Sequence, residues 1–471
     1  MKLALVALIG CSEPADPPGE TQETNETSVD TVETDVEETE ETEAPEDTDP
    51  EETDLPVDTD IEEIPEDTDP PSSASCELPP ITNNAVWVHD STGLLNAIEN
   101  ATPFSEIVLE SGTYDLPYAL LWLDTEGLVI RGETGDPNDV ILDGQYTDSG
   151  QMIWISASDV VLADLTVQHA SNHLVHVAPW TATDVLGVRL LNLRLLDPGQ
   201  QAIKINTDNI SFPTYYVDGA EIGCSTLELT DAGRPYVTYI NGGECYTGGI
   251  DAHATDELWV HDTTIEGFWC PTGANYPSEH AIHVWNGAGN TRIENNRLIN
   301  NARGIGFGLG DGLYAISRTW PDTCPSANPP AHYHGQIVNN LILVNEPDLF
   351  VSEWGFDTGI GLEQACEPKV YHNVVFSTQA PESSSIEYRF SGTNAEIVNN
   401  LTTHNIRERN NGVAELVGNF TVDGSEFVSA SDFHLLPNAF FLDQGDSRTA
   451  GSTDIDGETR GNAPDPGIDE R

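Results

Sequence analysis

The feature that most limits what this chain can become is a set of short apolar runs. They recur at irregular intervals of roughly 20–30 residues from Gly127 onward. Examples are QMIWISASDVVLADLTVQHA, HLVHVAPWTATDVLGVRLLNLRLLD, GGIDAHATDELWVHDTTIEGF and HAIHVWNGAGNTRIENNRLINN. Within each, Val, Ile and Leu alternate with polar residues, the period of a strand. An asparagine follows many of the runs: Asn192, Asn295 and Asn296, Asn339 and Asn340, Asn373, Asn399 and Asn400. Asparagine accepts the left-handed conformation of a sharp bend, and its amide can bond to the same residue one coil away. One coil cannot bury its own apolar face, so the coils must stack. The pattern predicts an all-β fold, a parallel β-helix or solenoid, over 76–471.

Before the repeats, TGLLNAIENA reads as a short amphipathic helix with Ser91 as its N-cap, followed by the strand-and-turn EIVLESGTYDL. This resembles the N-terminal cap of right-handed parallel β-helix proteins, placed here at about 76–126, with the helix covering the open end of the stack. At the other end, about 430–471, DFHLLPNAFFLDQGD and the Asp-rich turns after it resemble the closing segment of bacterial extracellular β-helix proteins. They are expected to form the last coil and cap.

The segment from Ser12 to Ser75 carries 26 acidic residues and no basic one. It has too few apolar groups to offset its ordering entropy, so a disordered acidic linker is expected over 11–75. The opening MKLALVALIGCSEP resembles a bacterial lipoprotein signal with its lipobox. The resemblance implies removal of 1–10, lipid attachment at Cys11 and an exported protein at the bacterial outer membrane. Net charge is −63. Such a field repels nucleic acid, which is excluded as a partner. A monomer is expected.

Six cysteines remain after Cys11: Cys76, Cys224, Cys245, Cys270, Cys324 and Cys366. An even count in an exported chain points to disulfides. Closing loops between neighbouring repeats gives Cys224–Cys245 and Cys270–Cys324, leaving Cys76 with Cys366.

Aligning the runs on their inward apolar pairs puts one polar position of each in a row: Trp154, His176, Lys204, Glu228, Asp251, His283, Gly306, Gly361 and Glu387. A second row two residues on holds Asn206, Thr230, His253, Trp285, Gly308, Glu363 and Arg389. With Glu228 between them, Lys204 and Asp251 are expected roughly 10 Å apart, two strand spacings. The glycines are expected to leave room for a ligand. An outward indole suits a sugar face. Asp251 and Glu363 are candidate ligands for calcium, which takes oxygen donors.

A β-helix with such a row resembles polysaccharide lyases and related carbohydrate-active β-helix enzymes. That resemblance implies a polysaccharide partner and β-elimination on a uronic-acid polymer, with Lys204, Asp251, His253 and His283 as catalytic candidates. Lys204 or His283 is the candidate base, and Asp251 orients a histidine or holds a metal. His176, Arg234, His280, Trp285, Arg303 and Glu363 are candidate substrate contacts, Arg234 or Arg303 neutralising charge. Two alternatives stand. Carboxylate pairs, Glu228 with Asp251 or Asp251 with Glu363, would suit hydrolysis. A non-catalytic glycan-binding or adhesin-like surface protein would need no chemistry.

Overall fold

A computed structural model describes residues 76–147, 150–207, 214–310, 318–320, 324 and 329–471. The signal 1–10, Cys11 and the linker to Ser75 lie outside the described residues.

The chain folds as the expected parallel β-helix. Ten strands stack in one parallel sheet, here the row face, from Leu121–Leu123 through Gln201–Ile205, Gly248–His253, Ile282–Trp285, Arg303–Phe307 and Thr358–Glu363 to Ile406–Arg409. The other two sides of each coil form a larger parallel sheet of 21 strands. Inward side chains such as Ile203, Ile250, Ile282, Ile305, Ile360 and Ile386 stack in register and are fully buried. Alternation alone forces the intervening side chains of each row-face strand to the other side of the sheet.

The paired asparagines divide the work of the corner. The first of each pair, Asn295, Asn339 or Asn399, takes a positive φ and makes the bend. The second is buried and stacks: Asn296 Nδ2 donates to Asn340 Oδ1 (2.9 Å), Asn340 to Asn373 (3.0 Å), Asn373 to Asn400 (3.0 Å) and Asn400 to Asn419 (2.9 Å). Asn192 makes a bend only; its amide donates to Gly135 O and Asp164 Oδ1.

The helix Ser91–Glu99 buries Leu94, and its N-cap is Asp90 rather than Ser91. Asp90 Oδ1 accepts from Gly93 N at 2.7 Å, a carboxylate filling the cap one residue earlier. The closing segment does not add a coil. The last coil ends at Phe420–Thr421, and the following chain makes an antiparallel hairpin, Phe427–Ser429 with Asp432–Leu435. Phe427, Phe433, Leu435, Phe441 and Ile468 then cover Leu341, Leu343, Val374 and Leu401 on the outer face of the larger sheet.

All six described cysteines are bonded, but as Cys76–Cys224, Cys245–Cys270 and Cys324–Cys366. The expected pairing fails because Cys224 and Cys245 sit on different sides of the coil. Cys245 and Cys270 both precede row-face strands one coil apart, so the stack brings them together.

Candidate functional site

Register along the row face reads Trp122, Trp154, His176, Lys204, Asp251, His283, Gly306, Gly361, Glu387, Arg407. The sequence alignment was correct except at Glu228. That residue lies in Thr226–Glu228 on the larger sheet, paired with Arg194–Leu196 and Thr264–Glu266, and it bonds Arg194 at 3.1 Å. Lys204 and Asp251 are therefore direct neighbours, not two strands apart. Glu228 drops out as a hydrolytic partner, as does its neighbour Thr230, whose hydroxyl donates to Asp197.

Four side chains converge at the centre. Lys204 Nζ contacts Asp251 Oδ2, His253 Nε2 at 3.0 Å and Tyr246 Oη at 3.3 Å. Asp251 Oδ1 accepts from Trp285 Nε1 at 2.9 Å and lies 3.3 Å from His253 Nε2. Trp285 packs edge-on to His253 and stacks on His283. Lys204, Asp251, His253 and His283 are all buried, while Tyr246 and Trp285 are partly exposed. Burial opposes ionisation of Asp251, but Lys204 and His253 more than offset it and hold its carboxyl well below the usual range. His253 Nε2 stands between two partners of opposite demand: unprotonated it accepts from Lys204 Nζ at 3.0 Å, and protonated it donates to Asp251 Oδ1 at 3.3 Å.

His283 differs from the sequence expectation of a base. Its Nε2 lies 3.0 Å from Gly308 O and so carries the hydrogen, and its Nδ1 faces Glu279 Oε2 at 3.3 Å. Burial would lower its pKa, yet Glu279 and Asp251 raise it. His176 stacks on Trp154 and meets the Asn206 amide at 3.2 Å; burial, with Lys204 and His253 nearby, lowers its pKa to about 3. His280 packs against His283 and is kept neutral by burial. Arg303 borders the site, bonded to Asp357 at 2.8 Å.

Two expectations fail on geometry. Arg234 is not at the site: it is buried in the helix Arg234–Ile240, stacked on Trp269, and donates to Leu229 O and Gly267 O, a loop pin. Asp251 and Glu363 cannot share a calcium ion, since three strand steps separate them, roughly 14 Å. Asp251 is committed to Lys204, His253 and Trp285, and Glu363 to Arg389 and the Gly310 amide. The Asp251–Glu363 hydrolytic pair fails on the same separation, which exceeds the ~6.5–9.5 Å of an inverting pair.

Gly306 has another use. A Cβ at Gly306 would sit 2.8 Å from His280 Nε2, so the space there seats an imidazole rather than a ligand.

Sequence reasoning missed Tyr246 and Glu279, which come from turns with no periodicity. It also missed Trp122 and the half-exposed Trp180, which crosses Trp122 and Trp154 at nearly right angles. A cleft of about 520 Å³ beneath Cys76 lies away from this face; its Arg131 is spent on Asp164 and the Pro79 carbonyl.

No protein-family model and no curated protein matches the chain. Solved structures it resembles include an alginate lyase from Paenibacillus sp. str. FPU-7, at 14% identity and TM-score 0.41, over 71% of this chain and 98% of that one. Pectate lyase Pel9A follows at 12% and 0.42, over 83% and 98%. The Azotobacter vinelandii mannuronan C-5 epimerase AlgE4 A-module gives 14% and 0.42, over 72% and 92%. Likeness at this level says nothing of activity.

Proposed function

We propose that the row face binds an acidic polysaccharide and that the centre removes the proton α to a uronate carboxylate. The observation that carries this is one buried lysine with an imidazole at 3.0 Å and a phenol at 3.3 Å. Each supplies a different need of that chemistry. Lys204, oriented by Asp251, neutralises the substrate carboxylate and so lowers the energy of the enolate. His253 Nε2, accepting from Lys204 before substrate arrives, takes the C5 proton. Tyr246 gives its proton to the departing O4. In elimination the C5–H and C4–O4 bonds break, a C4=C5 double bond forms, and His253 ends protonated.

The whole molecule's acidity argues against a polyanion, but the row face is locally different. Its strands carry Lys204, Arg303, Arg389, Arg407 and Arg409 against Asp251, Glu363, Glu387 and Glu408, so the face is near neutral rather than acidic, with Lys204, Arg303, Arg389 and Arg409 each paired to a carboxylate. Trp122, Trp154 and Trp180 offer apolar area at the other end.

The deciding experiment is incubation of the full chain with polyuronates in D₂O. Unsaturated-product absorbance, from a C4=C5 double bond whose C5 carries no hydrogen, supports elimination. Deuterium at C5 without absorbance would mean that the proton returns to carbon, an epimerase outcome of the same first step. Binding with neither signal would favour the non-catalytic glycan-binding reading, and reducing ends alone would return a hydrolase.

We further propose that the chain is displayed from the outer membrane by a lipid at Cys11, the acidic segment acting as a stalk. Cys11→Ser should then move the protein from the membrane to the soluble fraction; unchanged fractionation would reject the anchor.

A further inference from the structure

We propose that Glu279, His280 and His283 form a binding site for a divalent transition ion of the zinc class, beside the Lys204 centre and distinct from it. Their ligand atoms already lie within 4.8 Å of one another. Glu279 and His280 end the irregular segment that leads into the row face, and His283 lies in the row-face strand Ile282–Trp285, so the strand sets the second imidazole beside the segment that holds the other two.

The hydrogen-bond accounting points the same way. His283 Nε2 spends its hydrogen on Gly308 O, which leaves Nδ1 as the metal-facing atom and supplies the backbone contact that orients metal-bound histidines. That Nδ1 is 3.3 Å from Glu279 Oε2. Two ligands of a tetrahedral zinc with bonds of about 2.0–2.1 Å sit about 3.3–3.4 Å apart. His280 is buried and its Nδ1 has no hydrogen-bond partner, an uncommon state for a buried polar atom. Gly306 is the residue that lets His280 occupy this seat.

Two imidazoles and one carboxylate suit zinc-class ions and not calcium, which takes only oxygen. Three protein ligands leave a coordination position open. Asp251, the register neighbour of His283, adds negative charge nearby, and Arg303 is drawn off by Asp357. The cluster at His434 contrasts with this one. Both of its ring nitrogens are already engaged, by Asp432 and Asp456.

The test is titration of the chelator-treated full chain with Zn²⁺ and with Co²⁺, without substrate. One equivalent should bind, Co²⁺ should give the visible absorption of a low-coordinate site, and Zn²⁺ should raise the thermal midpoint. His280→Ala and the more conservative His280→Gln and Glu279→Gln should each weaken binding by about tenfold or more. His434→Gln should bind as the parent does. The inference is overturned if the parent takes no zinc, if all three site variants bind as tightly as the parent, or if binding is lost in His434→Gln. The readout needs no polysaccharide, so failure of the proposed activity leaves it standing.

Discussion

At the scale of single residues, the assignment of base and acid is the most exposed part of the proposed chemistry. Tyr246→Phe keeps the ring and loses only the hydroxyl near Lys204. Turnover should fall by about 100-fold or more with little change in KM, because a general acid is lost. Deuterium exchange at C5 should survive in this variant and vanish in His253→Gln. Equal loss of exchange in both would take the acid role from Tyr246. Lys204→Ala is a poorer probe, since it strands the buried Asp251 and costs about 3–5 kcal/mol of stability. Lys204, Asp251, His253, His283 and Trp285 were legible because strand alternation fixes which side chains leave the core. Tyr246 and Glu279 were not, because turns have no period. Arg234 was misassigned because the need for a charge-neutralising cation says nothing about where a given arginine sits, and Arg234 lies on neither aligned row. Glu228 misled because every side of a coil alternates in the same way.

At the scale of elements, the asparagine ladder is the most legible device and the best test of the stack. Asn373 donates to Asn400 Oδ1 and to Ile337 O, and its own Oδ1 accepts from Asn340 N and Nδ2. Asn373→Ala removes these and leaves buried partners unpaired, at about 1–3 kcal/mol for each group so stranded. A denaturant midpoint unchanged from the parent would show that the ladder is decorative. Trp180 tests the other end of the row face. It straddles Trp122 and Trp154 beside the row, and Trp154 is two strand steps from Lys204, roughly 10 Å. Trp180→Ala should raise KM for long polyuronates by about 5- to 150-fold, an aromatic-stacking loss of ~1–3 kcal/mol, and leave kcat alone. An unaltered KM would remove the tryptophans from the binding path. Neither Trp180 nor the outer placement of the closing segment follows from a pattern, since both depend on what packs against the solenoid's outside.

At the scale of the whole molecule, the even cysteine count was legible but the pairing was not, because a solenoid brings together residues 25, 42 or 148 apart with equal ease. The buried histidines set a further global property, the dependence of stability on pH. His176 and His332 are pushed down to about 3 from the ordinary 6.5, chiefly by burial. The unfolded chain takes up both protons near 6.5, whereas the folded chain resists until about 3. Stability must therefore fall as pH drops through that interval. Glu221 has the same sign in a lower window, its pKa being drawn from 4.5 to about 2 by the His261 contact and Arg189 against the cost of burial. His434 acts in the opposite direction. Bonds to Asp432 and Asp456 raise it from 6.5 to about 9, so its contribution is complete below 6.5 and is lost as pH rises through about 9. Thermal midpoints plotted against pH should rise from the acid side to a maximum and then decline. His332→Asn, which keeps an amide nitrogen near Thr291 Oγ1, should flatten only the acid limb. His434→Gln should flatten only the alkaline one. Proton NMR of the parent should show a histidine still charged well above 6.5. If that resonance titrates at the ordinary value, the closing hairpin is not held by the Asp432–His434–Asp456 bridge.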